Sequence, residues 1–191
     1  MENVRLQEIE KSIKKFSPQA VTQVVYNKKL GKQLLLVFTS TTHRNIMVFD
    51  DSHGLNELGV IRYSLHSNSM FISEFEVSEA LQGCGVGRTI FEFAAAHADA
   101  VGVNNLYGYA KPTNAIKGVS KPNQNCYAAE LAALIKIYEK LGCSFDHPEN
   151  KNTMDKKFTQ SWQPTQKYLA LPAEQLQMLK QVVETEKQRR L

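Results

Sequence analysis

The sequence predicts a mixed α/β fold: a central, mainly antiparallel sheet flanked by helices, with a long helix at the C-terminal end. Three observations predict it. Five β-branched or aromatic runs follow one another between residues 20 and 78, separated only by turn material. Beyond them, helical and extended patterns alternate. A last amphipathic stretch begins at Pro172. The 191 residues fit one domain, taken as 1–171, with 172–191 as a helix docked on it or lying in a homodimer contact.

Val4, Leu6, Ile9, Ile13 and Phe16 recur at helical spacing, so residues 3–16 are expected to form a helix that Ser17-Pro18 ends. AVTQVVY, KQLLLVFTS, NIMVFD, ELGVIRYSLH and MFISEFEVS read as strands, and NKKLGK, DDSHG and SNS as turns between them. Connections this short imply antiparallel neighbours. After Gly87, the residues Ile90, Phe91, Ala94, Ala98 and Val101 share a helical face, with Gly102 as the stop. NNLYGYA is the next strand. A loop with Pro112, Gly118 and Pro122 precedes a helix from about Tyr127 to Leu141, which Gly142 caps. QKYLAL reads as a late strand. Leu176, Leu179, Val182 and Val183 give the last helix an apolar stripe.

Composition removes several function classes. Hydrophobic residues make up 42%, enough for a core, yet no run approaches the roughly 20 apolar residues of a membrane-spanning helix. The opening MENVRLQEIEKSIKKF is charged and lacks the apolar centre of a signal peptide, so a cytoplasmic location is expected, non-classical export lying outside this test. Cys84, Cys126 and Cys143 are scattered and odd in number, with no CxxC pair. Cys143 and His147 supply only two ligands, so no metal is expected. Twenty-three basic against 19 acidic residues leave +4, and the basic clusters EKQRRL and KSIKK carry no interleaved aromatics. Neither a nucleic-acid nor a membrane partner is expected.

The segment LQGCGVGRTIFEFAAAHA places three glycines in five residues ahead of a helix. A Walker A loop would need glycine where Gln82 stands and lysine where Arg88 stands. A dinucleotide fingerprint would need its last glycine at Arg88, after an opening βαβ strand. What remains is Gln82-Gly83-Cys84-Gly85-Val86-Gly87, a strand-to-helix turn whose backbone N–H groups and helix dipole favour an anion. Arg88 adds a cation at a helix start, which the dipole disfavours and a phosphate would favour. The alternative is a glycine-rich turn that binds nothing.

FEVSEALQGCGVGRTIFEF resembles the acyl-CoA motif of the GNAT superfamily of N-acetyltransferases, in which a strand ending in an apolar residue (here Val77) leads to Q/R-x-x-G-x-G/A (here Gln82 to Gly87) and a helix. NNLYGYAKPTNA resembles the family's next strand and the asparagine after it, here Asn114. IYEKLGCSF resembles its tyrosine-bearing helix end, with Tyr138 as the tyrosine. The resemblance covers roughly residues 72–145. IKGVSKPNQNCYAAE departs from it by separating Asn114 from Tyr138, and the opening helix departs from the family's strand-helix-helix start.

The resemblance implies a GNAT-like mixed sheet, acetyl-CoA as co-substrate, and transfer of an acetyl group to an amine of a protein (a lysine or the N-terminus) or of a small molecule. It implies a backbone N–H near Val77 for the oxyanion, and the N–H groups of Gly83, Cys84, Gly85, Val86, Gly87 and Arg88 for the pyrophosphate. Tyr138 is then the candidate acid for the departing thiolate. Glu74 and Glu76 share one face of their strand, alternating with Phe75 and Val77; either serves as the base if that face lines the cleft, and both are surface charges if it meets solvent. Tyr109 stands where some family members carry an acidic base. His66 and His97 read as surface residues. Two other classes stay open: a catalytically silent acyl-CoA sensor and an interaction protein with no ligand.

Overall fold

The computed structural model describes residues 3–40, 44–112, 124–145 and 156–189, the side chains of 124–126 and 189 excepted. Asn3 caps the first helix, α1 (Val4–Phe16), its Oδ1 accepting from the N–H groups of Arg5 and Leu6. The five apolar runs form β1 (Val21–Asn27), β2 (Lys32–Ser40), β3 (Arg44–Phe49), β4 (Gly59–Leu65) and β5 (Met70–Val77). Each is antiparallel to the one before it. A single 3₁₀ turn (Glu79–Leu81) and the glycine segment lead into α2 (Val86–Ala100), then β6 (Asn105–Ala110), which pairs parallel to β5. α3 (Gln124–Lys140), β7 (Ser144–Phe145), β8 (Lys156–Ser161), α4 (Gln166–Leu169) and α5 (Ala173–Arg189) follow. The strand order is β1-β2-β3-β4-β5-β6-β8-β7. None of the described helices is long and apolar enough to cross a membrane.

Period-two alternation sorts the sheet into two faces. Leu36, Phe38, Ile46, Ile61, Ile72 and Phe158 pack in one core with Ile90, Phe91 and Ala94 of α2 and Leu179 of α5. Leu35, Val37 and Phe49 face the other way and pack beneath Leu6 and Ile9 of α1. Met178, Leu179 and Val182 seat α5 against α2 and β1. Arg44 donates to Glu186 at 2.6 Å and ties the far end of α5 to β3.

Two expectations fail. QKYLAL is no strand: its first four residues are the single turn α4. The Asp99 carboxylate accepts from the N–H groups of Thr165 (2.5 Å) and Tyr168 (2.9 Å), which satisfies that helix start from outside. The strand lies earlier, in KKFTQS, and pairs with β6 from Asn105↔Ser161 to Ala110↔Lys156. His97 is fully buried rather than on the surface. Its Nδ1 lies 2.7 Å from the Tyr63 hydroxyl and its Nε2 lies 3.9 Å from Glu186. His66, in contrast, is exposed as expected.

The feature that shapes the molecule is a β-bulge. Ile72 pairs with Tyr63 but Glu74 pairs with Arg62, so Ser73 is the extra residue on β5. The bulge reverses the alternation, and Ile72 and Phe75 therefore both face α2 although they are three residues apart. Parallel pairing with β6 covers only Met70–Ile72 against Leu106–Gly108. Past that point the two strands part.

Gly108 sits at the parting. A Cβ there would lie 2.5 Å from Phe158 Cζ and 2.9 Å from the Ile72 carbonyl oxygen. The backbone contact cannot yield by a rotamer change, so Gly108→Ala overpacks the junction. We expect it to destabilise the fold by about 2 kcal/mol, within the usual range for overpacking. A urea melt with an unchanged midpoint would contradict this.

Candidate active site

Beyond Ile72, β5 has no pairing with β6, which leaves one edge of its last residues without a strand partner among the described residues. Ser78 N–H donates to the Leu58 carbonyl at 2.8 Å, so Ser78 belongs to a hydrogen-bonded pair with β4. Alternation in an antiparallel ladder then turns the N–H and C=O of Val77, and of Phe75, away from β4 and toward that edge. The Val77 carbonyl accepts from Gln82 Nε2 at 3.3 Å, which pins the glycine segment to the strand end.

The glycines do two different things. Gly83 (φ 75°) and Gly85 (φ 83°) hold left-handed conformations that L side chains adopt only under strain. Gly87 is ordinary in backbone terms but tight: a Cβ there would stand 3.3 Å from Phe75 Cζ and 3.4 Å from Val77 Cγ2. Its absence lets the first turn of α2 lie against the end of β5. The Thr89 N–H donates to the Gly85 carbonyl at 3.1 Å, so the N–H groups of Val86, Gly87 and Arg88 stand outside the helical ladder. That is the arrangement an anion requires. Asn27 on the β1–β2 turn braces the loop, its Nδ2 donating to the Cys84 carbonyl at 3.2 Å.

Tyr138 lies near the end of α3, buried in an aromatic box. Its ring stacks on Phe158 at 4.0 Å between centroids and meets Phe75, Phe91 and Phe145 edge-on at 6.1–6.4 Å. Burial pushes its phenol above the ordinary range, with Cys143 adding to the effect. Burial likewise pushes the Cys143 thiol up to about 12. Both groups therefore keep their protons at neutral pH.

The end of α3 is held from two sides. Arg88 Nη2 donates to the Lys140 carbonyl at 2.8 Å, and Gln160 Nε2 donates to the Leu141 carbonyl at 2.5 Å. The Arg88 guanidinium thus satisfies a helix C-terminus, where the dipole favours a cation, instead of facing the loop's anion side. This corrects the reading of its side chain; its backbone N–H remains with the loop. Arg88 and Gln160 link the glycine helix and β8 to the turn that bears Tyr138.

Glu74 and Glu76 share the face opposite Phe75 and Val77. Glu74 is engaged with Arg62, which also reaches Glu57 at 3.2 Å. Glu76 is half-buried and in no ion pair among the described residues. Tyr109 is exposed on β6 on that same side, 6.4 Å from the Phe71 ring. Asn114 lies outside the described residues, as does 115–123 of the inserted stretch; its remainder, 124–130, opens α3. Sequence reasoning passed over Phe158, Gln160 and Asn27, and read Phe75 only as a core-facing strand residue. Those three act across elements with no local signal.

No protein-family model matches the chain, and no curated protein matches it in sequence. Solved structures do. A point mutant of the cAMP-binding acyltransferase from Mycobacterium smegmatis is similar over 97% of this chain and 61% of its own, at 12% identity, with a TM-score of 0.60. The chain has the fold of that acyltransferase. The PaiA N-acetyltransferase from Thermoplasma acidophilum, in complex with coenzyme A, is similar over 62% of this chain and 60% of its own (TM-score 0.45, 13% identity). For an acetyltransferase from Thermus thermophilus the figures are 63%, 64%, 0.42 and 19%. The chain therefore spans less than two thirds of the length of each of these proteins.

Proposed function

We propose that this chain is an N-acetyltransferase that moves an acetyl group from acetyl-CoA to a primary amine of a protein or small molecule, by direct attack in a ternary complex. The observation that carries the reading is the end of the β5–β6 pairing at Ile72. It joins outward backbone donors at Phe75 and Val77 to an anion-ready helix start at Val86–Arg88, with Tyr138 held near the same strand. The likeness of the whole fold to an acyltransferase supports it.

In this reading the pyrophosphate rests on the backbone N–H groups of Gly83, Gly85, Val86, Gly87 and Arg88, those of Gln82 and Cys84 donating within the turn to the Glu79 and Leu81 carbonyls, and Asn114 is the further contact that the resemblance implies. The amine nitrogen forms a bond to the thioester carbonyl carbon as the carbon–sulfur bond breaks. The Val77 N–H donates to the oxygen that gains charge. The amine's proton passes to Glu76, directly or through water, because Glu74 is held by Arg62. Tyr138 gives its proton to the departing thiolate.

Two measurements test the reading in order. Acetyl-CoA is expected to raise the melting temperature in a concentration-dependent way, reaching about 2.7 kcal/mol of stabilisation at a hundredfold excess over Kd. Release of free CoA is then followed across protein, polyamine and small-molecule amines. No thermal shift rejects the proposal outright. A shift without turnover on any amine leaves an acyl-CoA sensor instead of an enzyme.

A further inference from the structure

We infer that the β1–β2 turn is a second wall of the proposed cofactor site, with the Lys29 ammonium paired to a phosphate of CoA; this rests on the acetyl-CoA reading above. The turn is built around Asn27. Its Oδ1 accepts from the N–H groups of Lys29 and Leu30, each at 3.0 Å, while Gly31 N–H returns to the Asn27 carbonyl at 2.9 Å. The other end of the same amide donates to the Cys84 carbonyl. One side chain therefore fixes the turn and docks it on the glycine loop, 57 residues away in sequence.

That docking sets Lys29 over the loop. Its Nζ lies 3.4 Å from the Gly83 carbonyl oxygen, and its Cδ lies 4.0 Å from where a Gly85 Cβ would be. Stability does not account for the placement. The contact is long and exposed, a kind that contributes little. A cation beside the start of α2 also opposes the helix dipole. Among the described residues no carboxylate pairs with Lys29, whereas Lys32, the first residue of β2, is engaged with the buried Asp50. A positive helix start and an ammonium with no carboxylate partner among the described residues, brought to one loop, fit an anion lying between them. In the proposed reaction that anion is a CoA phosphate.

The test measures acetyl-CoA affinity by calorimetry for wild type, Lys29→Met, Lys29→Arg and Lys28→Met at two salt concentrations. Lys28 is exposed on the same turn and controls for net charge. Lys29→Met is expected to bind roughly tenfold more weakly, the size of one lost charge-assisted bond, and with a flatter salt dependence. Lys29→Arg should retain most of the affinity. Repeating wild type and Lys29→Met with dephospho-CoA identifies the phosphate: a difference that disappears assigns the 3′-phosphate, and one that persists assigns the pyrophosphate. Equal affinity of Lys29→Met and wild type, or an equal loss in Lys28→Met, overturns the inference and leaves the acetyltransferase reading standing. Wild type that does not bind acetyl-CoA overturns that reading instead.

Discussion

Gly85→Glu is expected to weaken acetyl-CoA binding by about a hundredfold or more and to abolish the thermal shift at concentrations that saturate wild type. Two effects combine. Gly85 holds φ 83° at the N-cap of α2, and an L residue there carries roughly 1–2 kcal/mol of strain. The loop can relieve that strain by turning its N–H groups out of register. The new carboxylate also stands beside Lys29 and the helix start, where it competes with a phosphate for the same positive field. The fold itself should survive, because Lys29 Cδ at 4.0 Å is the nearest atom to the added Cβ. Gly85→Ala separates the two effects, keeping the strain without the charge, and should fall between wild type and Gly85→Glu. Turnover by Gly85→Glu equal to wild type would remove the loop from the cofactor site.

The strands were readable because this sheet buries β-branched residues at period two, with turn chemistry between them. Val21 and Val25 of β1 and Ile46 and Val48 of β3 point where the alternation says. β8 escaped because its inward face carries a single apolar residue. Phe158 alone is apolar there, while Gln160 is buried to reach the Leu141 carbonyl. QKYLAL misled for the converse reason: its apolar residues suit a strand, but the Asp99 carboxylate rewards a helical turn and comes from 66 residues earlier. His97 read as a surface residue because its partners Tyr63 and Glu186 lie on distant elements. The bulge at Ser73 could not be read, since nothing local in FISEFEVS marks which residue is extra. Yet that bulge decides which way Phe75 and Val77 face, and with them Glu74 and Glu76. Motif spacing marks where a site is; the side on which each residue works is decided by contacts across the sheet.

Tyr138→Phe is the substitution that separates chemistry from binding. The phenyl ring keeps the stack on Phe158 and the edge contacts to Phe75 and Phe91, so stability should change by less than about 1 kcal/mol. Acetyl-CoA affinity should be unchanged, because nothing in the glycine loop is touched. The expected loss is in kcat, about 10² to 10⁴-fold, the scale of general acid catalysis. The pH dependence gives an independent check. Burial raises the phenol above its ordinary value of ~10, so the acid form persists through the neutral range. Any alkaline fall in wild-type kcat between pH 7 and 9 must then come from another group and should persist in Tyr138→Phe. The same raised value contributes stability that is fully present below pH ~10 and lost as the pH climbs through the folded value, a loss Tyr138→Phe should lack. Arg88 and Gln160 hold the turn that carries Tyr138, so Gln160→Ala should lower kcat more than it weakens cofactor binding. A Tyr138→Phe enzyme with wild-type kcat would leave the departing thiolate to be protonated by solvent and return Tyr138 to the role of a packed core residue.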